Sequence, residues 1–191
     1  MDMEITALRP RRRFNVEDYY RMAEAGILGE DDRVELIEGE IVEMPPIGSP
    51  HGGGVKALNR IFSRLVGDRA IVSVQDPVRL SDISEPVPDV CLLRPRQDLY
   101  RDSHPRPADV LLLVEVADTT VAFDRRVKLP LYARAGIAEY WIVDLGTGLV
   151  EVYREPGPEG YAERAEFRPG DSVAPAAFPD AVLSIGDILG A

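Results

Sequence analysis

The chain has 191 residues, 45% hydrophobic and 29% charged, proportions that fit one globular domain with its own core and exclude extended disorder and fibrous repeats. Its 22 Lys and Arg against 33 Asp and Glu leave a formal net charge of −11, which excludes coating nucleic acid by bulk charge and leaves only local phosphate contacts. The longest unbroken apolar run, 110–114, is far shorter than the ~20 residues of a spanning helix, so no membrane crossing is expected.

The opening MDMEITALRPRRRF carries Arg11 to Arg13 without an apolar core of signal-peptide length, so an unprocessed cytoplasmic protein with a basic arm over 1–13 is expected. Asn15 then caps a predicted helix up to Gly26, with Val16, Tyr19, Tyr20 and Ala23 on its apolar face. RVELIEGEIVEM (33–44) reads as a hairpin turning at Glu38–Gly39. After a Pro- and Gly-rich loop, Val55, Leu58, Ile61, Phe62 and Leu65 recur at helical spacing and predict an amphipathic helix over about 51–66.

Short strands are predicted at 70–74 and 78–80, separated by Pro77, and at 87–93, where Pro88 is confined to the beginning. VLLLVEV (110–116) is too continuously apolar for a strand with one wet face and belongs in the middle of a covered sheet. A helix over 124–135, kinked or shortened by Pro130, leads to a second buried strand at 138–144, which makes a parallel crossover unit. LVEVYR after the 146–148 turn and the segment 161–167 predict an antiparallel pair.

Glu115 interrupts the most apolar strand, where an ionised carboxylate without a partner is expensive to bury. It reads as a metal ligand or as half of a salt bridge, and the burial cost favours the ligand. Asp89 interrupts another apolar strand, and two carboxylates from neighbouring strands suit a hard divalent cation. Pro-Asp alone is ordinary turn chemistry. Lys128 has Asp124 and Tyr132 four residues to either side, on its own face. It reads equally as a solvated ion pair with Asp124 or as a compact ammonium that orients water or offsets phosphorane charge. The second reading gains from composition, since Lys56 and Lys128 are the only lysines beside 20 arginines. Glu35 or Glu38 could reach the same cluster, and either could be a surface acid. His51 is a candidate base or phosphate contact, or simply a helix-start residue. The lone Cys91 with His51 and His104 gives too few soft ligands for a structural zinc. The glycines at 52–54 lack the GK[ST] ending of a nucleotide-binding loop.

VELIEGEIVEM, SPH at 49–51, PD at 88–89, VEVAD at 114–118 and DRRVKLPLYARAGIAEYWIVD at 124–144 together resemble the Uma-two family, restriction-endonuclease-like proteins of the PD-(D/E)xK nuclease superfamily formerly grouped as a domain of unknown function. The resemblance runs from about residue 14 to 188 and implies an α/β fold, a mixed sheet flanked by helices, as one restriction-endonuclease-like domain over 14–191. By motif position Asp89 matches the aspartate of PD, Glu115 the acid of (D/E)xK, and Glu35 the early acid before the Gly39 turn. His51, Asp124, Lys128 and Tyr132 match further characteristic positions. Ala117 stands where the triplet usually has lysine, so either Lys128 reaches the site from the following helix or the catalytic set is incomplete.

The expectation is a Mg²⁺- or Mn²⁺-dependent endonuclease acting on nucleic acid, with DNA the expected substrate. Asp89, Glu115 and Glu35 would hold the metal, Lys128 would orient the attacking water, and Asp124 and Tyr132 would hold the lysine, with His51 in support. Arg125 and Arg126 are expected at phosphates. A homodimer is expected, with Tyr140, Trp141, Tyr153 and Phe178 as interface or core aromatics. The rival expectation is an inactive nuclease-fold module for binding or assembly.

Overall fold

The structure is a computed structural model and describes residues 11–29 and 31–190; most of the arm expected over 1–13 lies outside the described residues. Two compact units divide the chain: a smaller one up to Pro45 with Leu80–Pro86, and a larger one of Pro46–Arg79 and Val87 onward. No helix among the described residues is long and apolar enough to cross a membrane.

In the smaller unit, α1 (Val16–Glu24) begins as predicted. Asn15 accepts from the Asp18 N–H at 2.7 Å while the Asp18 carboxylate accepts from the Asn15 N–H, a capping box. Of the predicted apolar face only Val16 is buried. Tyr19 and Tyr20 instead donate their hydroxyls to the Val34 carbonyl (3.1 Å) and to Glu85 (2.7 Å), as a partly buried phenol does where a polar partner is in reach. Strands β1 (Val34–Ile37) and β2 (Glu40–Glu43) form the predicted hairpin. Glu38 and Gly39 have φ of 48° and 80°, the double positive φ that a tight two-residue turn demands. A Cβ on Gly39 would lie 2.5 Å from the Arg13 Cβ. Gly39→Ala is therefore expected to cost at least about 1 kcal/mol, seen as a lower urea midpoint at unchanged slope.

The larger unit is built on a six-stranded sheet in the order β3 (Ile71–Val74), β4 (Val90–Leu93), β5 (Val110–Ala117), β6 (Glu139–Asp144), β7 (Leu149–Gly157), β8 (Gly160–Phe167). Only β5 and β6 are parallel, and a helical run over 121–134, α3, makes their crossover. The apolar strand VLLLVEV thus sits inside the sheet, where its two dry sides require it. The expected strand at 78–80 does not form. Pro77 has no N–H for a ladder, the Arg79 N–H goes to the Pro105 carbonyl, and the Leu80 N–H closes a turn on Ser84.

Side-chain alternation gives the sheet two unlike faces. One presents Leu92, Leu112, Val114, Val116 and Trp141 to helix α2 (Ser49–Val66), which answers with Val55, Leu58, Phe62 and Val66. The glycines at 52–54 lie within this helix, and Gly54 allows it to approach: a Cβ there would sit 3.0 Å from the Val116 Cγ1. The other face follows from the register, which aligns Leu113 with Tyr140 and Tyr153, and Glu115 with Ile142 and Glu151. This face is rich in polar groups, and α3 covers it. Tyr140, Trp141, Tyr153 and Phe178 are all buried within the unit, so these aromatics are core and supply no surface for a homodimer. The short strands β9 (Ser172–Val173) and β10 (Leu183–Ser184) pair before the terminal helix α4 (Ile185–Leu189).

Candidate active site

Pro130 shapes the helix that carries the candidate lysine. Proline lacks an N–H and its ring clashes with the carbonyl four residues back. Here α3 widens: an α turn (Val121–Phe123) passes into a π-helical stretch (Asp124–Lys128), in which the Leu129 N–H bonds to the Asp124 carbonyl, and then into α-helix again (Leu129–Arg134). Such π turns recur at functional sites. Asp124 and Lys128 are both buried, and the Asp124 carboxylate accepts from the Thr120 hydroxyl at 2.9 Å.

The Lys128 ammonium donates to Glu115 Oε1 at 2.9 Å, and the Tyr132 hydroxyl donates to the same oxygen at 2.8 Å. Glu115 is 4% exposed and Lys128 6%, so this ion pair is desolvated and each charge depends on the other. A solvated lysine on an outer helix face is not what the fold builds. Tyr132 thus binds the same carboxylate oxygen as the lysine.

Asp89 and Glu115 lie one residue beyond Val90↔Val114, the end of the β4–β5 pairing. Since β5 outruns β4, the Val116 N–H has no strand partner on that side, and Asp89 Oδ2 accepts it at 2.9 Å. Asp89 Oδ1 accepts from His51 Nε2 at 2.9 Å and from Gln75 Nε2 at 3.2 Å. His51 comes from the first turn of α2, and its contact with a carboxylate places the proton on Nε2. Burial is the largest influence on the Asp89 carboxyl and pushes its pKa up; His51, the Val116 N–H and Gln75 together outweigh it and hold the value below the ordinary 3.8. Asp89 is thus an anion at neutral pH.

Gln75 escapes a reading of the sequence. It follows β3 with φ of 55°, a left-handed conformation uncommon outside glycine, and its own N–H donates to the Asp89 carbonyl at 3.1 Å. The only local signal is its place between an apolar strand and Asp76-Pro77. Glu35, 2% exposed and opposite Val42 on β1, belongs to the smaller unit, and Glu38 is in its turn. Cys91 is buried on β4, and burial pushes its thiol pKa well up, which marks a packing residue. Arg125 bonds Glu151 at 2.9 and 3.1 Å and Asp144 at 3.1 Å. Arg126 is exposed.

Among the described residues, no three His, Cys, Asp or Glu side chains form a ready metal cage. The donors are two hard carboxylates, Asp89 and Glu115. Mg²⁺ commonly takes one or two carboxylates from protein and fills its other positions with water and substrate phosphate, so this donor set fits it.

The larger unit is thus an α/β fold, a mixed sheet flanked by helices with a buried acid on a central strand. A solved structure described as "a putative nuclease belonging to DUF820 from Anabaena variabilis ATCC 29413" superposes with a TM-score of 0.70 at 18% identity, over 93% of this chain and 98% of that one. Residues 16–186 match the family model "Uma2: Putative restriction endonuclease", and the chain belongs to that family. No curated protein matches it.

Proposed function

We propose that this protein hydrolyses phosphodiester bonds in DNA, with Mg²⁺ or Mn²⁺ held by Asp89 and Glu115. The observation that carries this reading is the buried Lys128–Glu115 pair at the same step beyond the β4–β5 ladder as the ionised Asp89. When bound, such a cation polarises a phosphoryl oxygen and lowers the pKa of a water. The protein's own groups do the rest. His51, Gln75 and the Val116 N–H fix the Asp89 carboxylate, Tyr132 fixes Glu115, and Lys128 orients water or offsets charge developing at phosphorus. Ala117 leaves the usual lysine position of the triplet without charge, and α3 supplies the ammonium instead.

The test is cleavage of supercoiled plasmid with and without Mn²⁺ or Mg²⁺. Nicking that needs the metal is expected to fall at least about 100-fold in Asp89→Asn, Glu115→Gln and Lys128→Met. Cleavage that ignores all three changes sinks the assignment. No cleavage, with no Mn²⁺ heat in calorimetry, would make the protein an inactive member of the fold.

A further inference from the structure

Helix α2 contains no Asp or Glu in 18 residues, inside a chain of net charge −11. Lys56, Arg60 and Arg64 recur on it every fourth residue, so they share a face, and all three are exposed. Val55, Leu58, Phe62 and Val66 hold the other side of the helix against the sheet, which fixes the cations outward. Several other arginines of the larger unit are tied to acids: Arg69 to Asp180, Arg96 to Asp98, Arg125 and Arg164 to Glu151, and Arg154 to Glu139. Lys56, Arg60 and Arg64 form no ion pair or side-chain hydrogen bond with any described residue. Like charges four residues apart destabilise a helix by a few tenths of a kcal/mol, so the stripe works against the helix unless an external anion neutralises it.

The stripe also leads toward the candidate site. The Lys56 ammonium leans back to the helix start, where a Cβ on Gly52 would lie 3.9 Å from it. Gly52 follows His51, whose Nε2 is bonded to Asp89. Successive cations lie about 6 Å apart along the helix axis, roughly 12 Å in all. A small anion would call for converging donors. A row of separate charges suits a polyanion, and a duplex strand offers a phosphate every ~3.4 Å of its axis.

We infer that the exposed face of α2 is the surface on which the phosphate backbone of duplex DNA lies, with Lys56, Arg60 and Arg64 as its contacts. This rests on the nuclease reading of the adjacent site and names the element that brings substrate to it. The test titrates a short fluorescein-labelled DNA duplex, without divalent metal, across a range of salt concentrations. The triple variant Lys56→Gln, Arg60→Gln, Arg64→Gln is expected to bind more weakly and to lose about 0.9 from the log–log salt slope per contact, about 2.7 in all. The pair Arg101→Gln, Arg168→Gln, exposed cations elsewhere, is expected to leave the slope unchanged. All five positions are at the surface, and thermal unfolding verifies that each variant is folded. A parent that does not bind the duplex, an unchanged slope in the triple variant, or an equal loss in the control pair overturns the assignment. If metal-dependent cleavage persists while the triple variant keeps its slope, only the α2 surface falls. If the triple variant loses the slope and the parent cleaves nothing, only the hydrolytic reading falls.

Discussion

Lys128→Met is expected to lower the free energy of unfolding by about 3–5 kcal/mol, because it leaves the Glu115 carboxylate buried without its ammonium. Glu115→Leu is expected to cost a similar amount by stranding the ammonium. The double variant Glu115→Leu/Lys128→Met should recover most of the loss, since apolar groups of similar volume replace a buried pair at little cost or none. Recovery stops short by about 1–3 kcal/mol because the Tyr132 hydroxyl loses its acceptor, and adding Tyr132→Phe should return part of that. Urea denaturation of the four proteins gives the coupling energy directly. Single variants that cost under about 1 kcal/mol would mean the pair is solvated, in the range of surface salt bridges. The double variant, folded though it is, is expected to cleave no DNA. Activity at the parent level there would reduce the pair to a structural role.

That same ion pair shows how far composition and periodicity reach. Glu115 stood out because it breaks an apolar strand, and Lys128 because the chain uses lysine only twice; both signals are local and both residues meet in the fold. The hairpin turn, the Asn15 cap and the central place of VLLLVEV were legible for the same reason, since each is set by neighbours in sequence. Pro130 marks a disturbed helix, but that the disturbance is a widened turn depends on what the turn packs against, and here that turn buries Asp124 and Lys128.

Contacts between distant segments stayed hidden. Gln75 reaches Asp89 across 14 residues and Arg125 reaches Glu151 across 26. Alternation in LVEVYR identifies a strand with Glu151 on one face, yet it cannot say that this face lies inward among arginines. That Arg125 pairs with Glu151 and Asp144 is likewise invisible locally, because a cation's partners are decided by acids far along the chain. The nuclease fold itself came from the resemblance, not from periodicity, and the family match over 16–186 bears it out.

Glu151 supplies the other large expected effect. It has no exposed surface and accepts from Arg125, from Arg164 and, at 2.9 Å, from the Tyr153 hydroxyl. Burial pushes its pKa up most strongly, but the bonds from Arg125, Arg164 and Tyr153 outweigh that and hold it below the ordinary 4.5. Tyr153 responds in the opposite direction, pushed up to about 12 by burial and by the Glu151 carboxylate. Because the folded value is below the unfolded one, the unfolded chain binds more protons between the two. The stabilisation is therefore complete above about pH 4.5 and is lost as pH falls through the folded value. Glu151→Gln should flatten that acid limb relative to the parent; Asp89 has the same sign in both proteins and cancels in the difference. At neutral pH, removing the cations should hurt more than removing the anion. Arg125→Met with Arg164→Met strands a fully buried carboxylate at about 3–5 kcal/mol. After Glu151→Gln the two arginine side chains, 37% and 51% exposed, turn to water, and the cost should stay near 1–2 kcal/mol. Urea midpoints in the reverse order would show that Glu151 is neutral in the folded protein, with its partners serving as ordinary hydrogen-bond donors.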